Sequence, residues 1–202
     1  ARDCIPGGLG NKFKTYNMGT DQYIIRDQNA VYFVTFTVER WIDVFTRAEH
    51  RVIITDSLNY CIANKGLIVY SWCLMSNHLH LIVQAESGHR MSDIIRDLKK
   101  FTAKAIIHQI NTEPESRRVW MINEFQFRAR PYSNRDKHKF WQDTNHAIEL
   151  GNNKIFAQKM DYIHGNPVKA RIVDEQEHYI YSSARDYCGR KGLVNITLAD
   201  DL

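Results

Sequence analysis

His78 and His80 stand two residues apart in the run HLHLIVQ. Side chains alternate faces along a strand, so both imidazoles point the same way, about 7 Å apart along the backbone. Two imidazoles converging on one rigid face can share a divalent cation. Leu79, Leu81 and Val83 then fall on the opposite face, toward a core. Taken alone, the pair reads about equally well as a metal site and as two polar residues on a half-exposed strand. The residues exclude several familiar chemistries. Position 82 is Ile, so a third alternating histidine, as histidine-triad hydrolases need, is lacking. The paired H-x-T/S motifs of two-histidine phosphodiesterases and the HExxH of zincin proteases are absent too.

A second candidate lies in DYIHGNPVK. Helical spacing puts Phe156, Met160 and Ile163 on a core face, and Gln158, Tyr162 and Asn166 at i, i+4 and i+8 on another. A phenol between two amides is an unusual composition for a purely structural helix face. With ten tyrosines in the chain, however, composition alone favours a surface tyrosine with a hydrogen-bonded hydroxyl. Pro167 disfavours helical backbone at Asn166, which leaves Asn166 either a C-cap or a true i+4 neighbour of the phenol.

The elements that must position these groups follow from pattern. Val31–Val38 is rich in β-branched and aromatic residues and reads as a strand. Arg47 to about Asn64 keeps a helical period and stops at Lys65-Gly66. Leu67–Met75 and His78–Gln84 read as two strands of a hairpin about Ser76-Asn77. Met91 to about Ile110 reads as a helix, with Met91, Ile94, Ile95, Leu98, Phe101 and Ala105 as its apolar stripe. Asn111–Lys139 is polar and basic, with Phe125, Phe127 and Tyr132 interleaved, and reads as an insertion of loops with a short hairpin. A fourth strand is expected within Phe140–Leu150. A last helix is expected from about Asn152 to His164, ended by Gly165-Asn166-Pro167, with YIYSSARDY after it as a packed tail. The order predicts an α+β fold: one antiparallel sheet with helices on one face.

At 202 residues, 44% hydrophobic and 25% charged, the chain fits one domain with a sizeable core. The first seventeen residues lack periodicity and read as a flexible or appended leader before Met18, with the single domain spanning 18–202. A formal net charge of +4 permits a polyanionic partner without demanding one. No run of apolar residues is long enough to span a bilayer. Cys4, Cys61, Cys73 and Cys188 are scattered without a CxxC pair, which suits a reducing, cytoplasmic setting.

Three ordered stretches, WCLMSNHLHLIV, FWQDTNHAIEL and DYIHGNPVKARIV, resemble the IS200-like (Y1) transposases, most closely the REP-associated tyrosine branch. The resemblance runs from about Val31 to Tyr187. It implies a ferredoxin-like α+β domain of the HUH class, the histidine–hydrophobic–histidine motif falling on His78, Leu79 and His80. It implies Tyr162 as nucleophile and Asn166 as a third metal ligand. It further implies a bacterial, nucleoid-associated protein that cuts and rejoins single-stranded DNA near hairpins through a 5′-phosphotyrosine. The basic insertion has no fixed counterpart in that family. Oligomeric state varies within it, so a homodimer is carried as an open expectation.

The chemistry suits these groups. Phenols are more acidic than alkyl alcohols and are good nucleophiles and leaving groups, so the covalent link is reversible. A cation on two imidazoles and an amide would serve as Lewis acid on the scissile phosphate. Mg²⁺ or Mn²⁺ is expected, with zinc also open. Lys99, Lys100, Lys104, Arg128, Arg130 and Lys169 are candidate phosphate contacts, and Phe125, Phe127 and Tyr132 candidate stacking partners, for single-stranded or hairpin DNA. For each charge, a solvated surface is an equal reading. His146 reads as a structural hydrogen-bonding residue. The alternatives are a non-cleaving DNA or RNA hairpin-binding protein derived from a transposase, and a phosphodiesterase without a covalent intermediate.

Overall fold

The computed structural model describes residues 25–129 and 137–199; the expected leader, Cys4, Arg130 and Tyr132 lie outside these. The elements run β1 (Tyr32–Thr37), α1 (Ala48–Asn64), β2 (Leu67–Leu74), β3 (His78–Ala85), α2 (Met91–Thr112), α3 (Arg118–Ala129), β4 (Ile148–Glu149), α4 (Asn153–Lys169) and a short α5 (Ala184–Tyr187). The strands form one antiparallel sheet in the order β2-β3-β1-β4. All six residues of β1 are buried, as its run of aromatic and β-branched side chains demands of a central strand.

The β2–β3 hairpin turns through Ser76-Asn77, closed by the Met75 N–H to the His78 carbonyl at 2.8 Å. Both turn carbonyls are gripped from outside, Ser76 by the Phe45 N–H (2.8 Å) and Asn77 by the Val38 N–H (2.9 Å). The register sets Thr37 opposite His78, Thr35 opposite His80 and Phe33 opposite Ile82. Pleating puts these six on one face and Leu79, Leu81, Val83 and Phe36 on the other. The helices α1 and α2 cover the second face as a single layer, Lys99 of α2 reaching the Phe36 ring. To that layer the structure adds α4 on the imidazole face, where Phe33, Ile82 and Ser71 are also buried and need cover.

Four local expectations are corrected. The α2 stripe continues through Thr102, Ile106 and Ile110, leaving Phe101 63% exposed. Thr102 tolerates burial because its hydroxyl donates to the Leu98 carbonyl and accepts from the Trp141 indole. Part of the supposed loop insertion is α3, whose Met121, Phe125 and Ala129 recur every four residues and pack inward. The fourth strand shrinks to Ile148–Glu149, with Trp141 bridging Val38 separately. Finally, α4 runs through Pro167 to Lys169 and ends where Arg171 takes a left-handed φ of 57°. Pro167 and Ile163 are buried, and that packing outweighs the local penalty of an internal proline.

The tail straps the structure. Leu74 N–H donates to the Tyr181 carbonyl (2.9 Å) and Ser183 N–H to the Trp72 carbonyl (3.0 Å), covering the open edge of β2. His164 of α4 is buried, with Nε2 2.8 Å from Ser183 Oγ and 3.1 Å from Ser71 Oγ. One imidazole thus joins helix, sheet edge and tail. Burial, offset by Asp161, lowers its pKa from about 6.5 to about 4. The unfolded chain therefore takes up this proton first, and stability present above pH 6.5 is lost as pH falls toward 4. Urea titrations across that window should lose up to about 3 kcal/mol through this group, and His164→Gln should flatten the acid limb by that amount.

Candidate active site

The site is built on β3. His80 is 4% exposed, and its ring lies 4.7 Å from that of His78, centroid to centroid. The expected convergence of the pair is therefore present. His80 Nδ1 meets the Thr35 hydroxyl at 2.8 Å across the β1–β3 ladder. His78 Nδ1 meets Asn77 Oδ1 at 2.7 Å.

Asn77 decides the tautomer of His78. Its amide nitrogen faces two acceptors, Asp43 Oδ1 at 2.8 Å and the Trp41 carbonyl at 3.2 Å. That fixes the amide's orientation, so Oδ1 must accept and His78 Nδ1 must carry the proton. The lone pair of His78 is left on Nε2. His80 Nε2 is buried and has no hydrogen-bond partner among the described residues. A buried nitrogen without a partner costs about 1–3 kcal/mol, a cost a bound cation would remove. Burial lowers the pKa of both imidazoles, that of His80 to about 3 with help from His78 and Lys159, so both stay in the neutral, ligating form at ordinary pH.

The helix α4 brings Tyr162 over this pair. Its ring lies 5.3 Å from His80 and 6.0 Å from Phe33, edge-on to both, while the residue stays 41% exposed. Asn166 is helical after all, its Nδ2 donating to the Tyr162 carbonyl at 2.8 Å, so that Oδ1 is the acceptor atom the amide presents elsewhere. Among the described residues no three His, Cys, Asp or Glu side chains cluster as a metal site. The two imidazoles are the donors brought together here, a pair that an amide oxygen would complete for a hard cation.

Three contributors escaped the sequence reading. Thr35 and Asn77 orient the imidazoles; the signals were a threonine opposite His80 in register and the asparagine directly before His78. Lys159 places its ammonium 4.7 Å from the Phe33 ring and 5.9 Å from the Tyr162 ring, with Lys169 at 5.4 Å on the same phenol. Lys159, Tyr162, Asn166 and Lys169 form one stripe at spacings of three, four and three, legible once the helix is known to pass Pro167.

The remaining candidates are dispersed. Lys99 turns inward, bonding the Gln142 carbonyl (2.7 Å) and Asn145 Oδ1 (2.6 Å), and burial lowers its pKa to about 8. This ammonium holds a loop and is withdrawn from the phosphate-contact set. Lys100 and Lys104 are exposed on α2, across the sheet from the imidazoles. Arg128 is paired with buried Glu39 at 3.1 Å. Phe125, expected to stack on bases, is buried against Phe140. His146 takes a φ of 42° and places Nε2 3.3 Å from Thr144 Oγ1, a local hydrogen bond.

Removing either orienting group should loosen the cation site without unfolding the chain. Thr35→Val and Asn77→Ala are each expected to weaken Mn²⁺ binding about 10- to 100-fold in calorimetric titration. An unchanged affinity would remove both residues from the site.

No helix among the described residues is long and apolar enough to cross a membrane. Comparison with the curated proteins returned no match. Among solved structures, a REP-associated tyrosine transposase, determined bound to a REP hairpin, is similar at a TM-score of 0.58 and 18% identity, over 89% of this chain and 91% of that one. A Deinococcus radiodurans R1 protein described as a transposase is similar at a TM-score of 0.41 and 17% identity, over 71% of this chain and 92% of that one. The first likeness supports the α+β fold derived above. The family described as "Transposase IS200 like" matches residues 28–129, which is 102 of 202 residues and spans β1 to β3 with the histidine pair and the helices α1 to α3. The chain belongs to the IS200-like transposase family.

Proposed function

We propose that this transposase cuts and rejoins single-stranded DNA near hairpins, with Tyr162 as nucleophile and His78, His80 and Asn166 as the cation site. The observation that carries the reading is the phenol packed 5.3 Å from the buried imidazole within one chain. No second copy is needed to complete this set. A divalent cation, Mg²⁺ or Mn²⁺, bound by the two Nε2 atoms and the Asn166 oxygen, would supply Lewis-acid charge to the non-bridging phosphate oxygens.

The chain's own groups do the rest. Tyr162 Oη attacks phosphorus and gives up its proton to water. The bond to the 3′ oxygen breaks, that oxygen takes up a proton, and a 5′-phosphotyrosine remains. Rejoining is the reverse attack by a 3′-hydroxyl, so no external energy source is consumed. Lys159 and Lys169 flank the phenol with two positive charges, suited to holding the phosphate for in-line attack. Lys100, Lys104 and Arg130 are retained as outer phosphate contacts, and Arg128 would have to leave Glu39 to join them. Hairpin DNA is the favoured substrate because the fold neighbour was solved with a REP hairpin. A cytoplasmic, nucleoid-associated location follows from such a substrate.

Incubation with hairpin oligonucleotides bearing single-stranded flanks and Mn²⁺ should yield a covalent protein–DNA adduct on denaturing gels. Tyr162→Phe should abolish it, and His80→Ala or chelation should lower its rate at least about 100-fold. An adduct formed by Tyr162→Phe would remove the nucleophile assignment. Hairpin binding without cleavage in either metal would instead identify a binding protein.

A further inference from the structure

We infer that Trp41 is a stacking platform for an unpaired nucleobase next to the scissile phosphate, and so a positioning residue for the strand in the site. This rests on the single-strand DNA reading above. Trp41 closes the single 3-10 turn Glu39–Trp41 that follows β1. Its indole is 57% exposed, although Val38, Ile42, Val44 and Phe45 around it are buried. The ring lies edge-on to His78, 5.7 Å between centroids, so the exposed indole borders the cation site itself.

The backbone that presents it is strained. Arg40 and Trp41 take consecutive left-handed conformations, φ 54° and 57°, where a β-carbon costs about 1–2 kcal/mol per residue. A turn needing only to reverse the chain would place glycine or asparagine there. Instead the strain is held from several sides. Trp41 N–H donates to the Val38 carbonyl (3.0 Å), and the Trp41 carbonyl accepts from Asn77 Nδ2. Buried Glu39 is clamped by Arg128 and Lys139, and Arg40 pairs with Glu124 of α3 at 3.4 Å. Strained residues over-determined in this way cluster at functional sites.

The Asn77 amide is the informative link. It bonds the Trp41 carbonyl through nitrogen and His78 Nδ1 through oxygen, so platform and ligand are set by one planar group. With the indole 5.7 Å from the His78 ring, a phosphate held at the imidazoles has a base of the same strand within reach of that indole. An indole face stacks on any base and adds affinity without reading sequence.

The test uses the wild-type chain in EDTA, so that binding is read apart from cleavage, with a hairpin oligonucleotide carrying single-stranded flanks of about ten nucleotides. Trp41→Ala should weaken binding about 5- to 100-fold, and Trp41→Phe should keep most of the affinity. An abasic scan of the flanks should find one position where removing the base weakens wild-type binding to a similar degree yet costs Trp41→Ala nothing further. A structural role for Trp41 would not produce that non-additivity. Equal abasic profiles for wild type and Trp41→Ala, with matched melting temperatures, would overturn the platform and leave the nuclease reading standing. A wild-type chain that binds no such oligonucleotide either in EDTA or with Mn²⁺ would overturn both.

Discussion

An imidazole nitrogen, His80 Nε2, is buried without a partner among the described residues, and much of the structure is arranged around keeping it so. Its ring is stacked on Phe33 at 5.6 Å, edged by Tyr162 and turned by Thr35. Native interiors leave few polar atoms unsatisfied, and the ring that carries this one lies beside a second imidazole and a phenol. The cost is carried by the sheet: β1 and β3 are the two central strands, buried on both faces, with the hairpin turn pinned by two outside backbone donors. A mobile loop could not hold two imidazoles 4.7 Å apart in fixed orientations.

The same economy of groups recurs around the site. One asparagine orients His78 and holds a strained turn; one threonine continues the ladder and orients His80; one buried histidine, His164, joins the helix that carries Tyr162 to the sheet edge and the tail. Couplings of this kind make single substitutions non-additive. They also explain why α4 keeps its angle to the sheet although Pro167 removes an internal hydrogen bond.

Much of this was legible from residues. The period-two pattern of β3 specified which face the imidazoles share, whereas the continuous apolar run of β2, which reads as a central strand, belongs to an edge strand buried by the tail. What stayed hidden had physical causes. Pro167 is a stop signal locally, and only the burial of Ile163 and Pro167 overrides it. In α3, three apolar residues at i, i+4 and i+8 are masked by Arg and polar neighbours, so charge density read as loop. Lys99 looked like a surface cation because spacing cannot show that Asn145 and Gln142 wait beside it. Asn77 read as a turn former, which it is, but its second use depends on a register and a neighbouring turn that no local window contains.

The strap of the tail over β2 has a consequence for the order of assembly. The histidine pair lies at 78–80, the phenol at 162, and the residues that close the edge of β2 at 181–183. These contacts join residues about a hundred positions apart, so their loop-closure entropy is met late and folding is slowed by them. A chain emerging from the ribosome would form its sheet with imidazoles in place well before helix and strap arrive. Until then the β2 edge is open to pairing with other strands, and the phenol is absent from beside the imidazoles. The phenol and the imidazoles are thereby brought together only after synthesis has passed the tail.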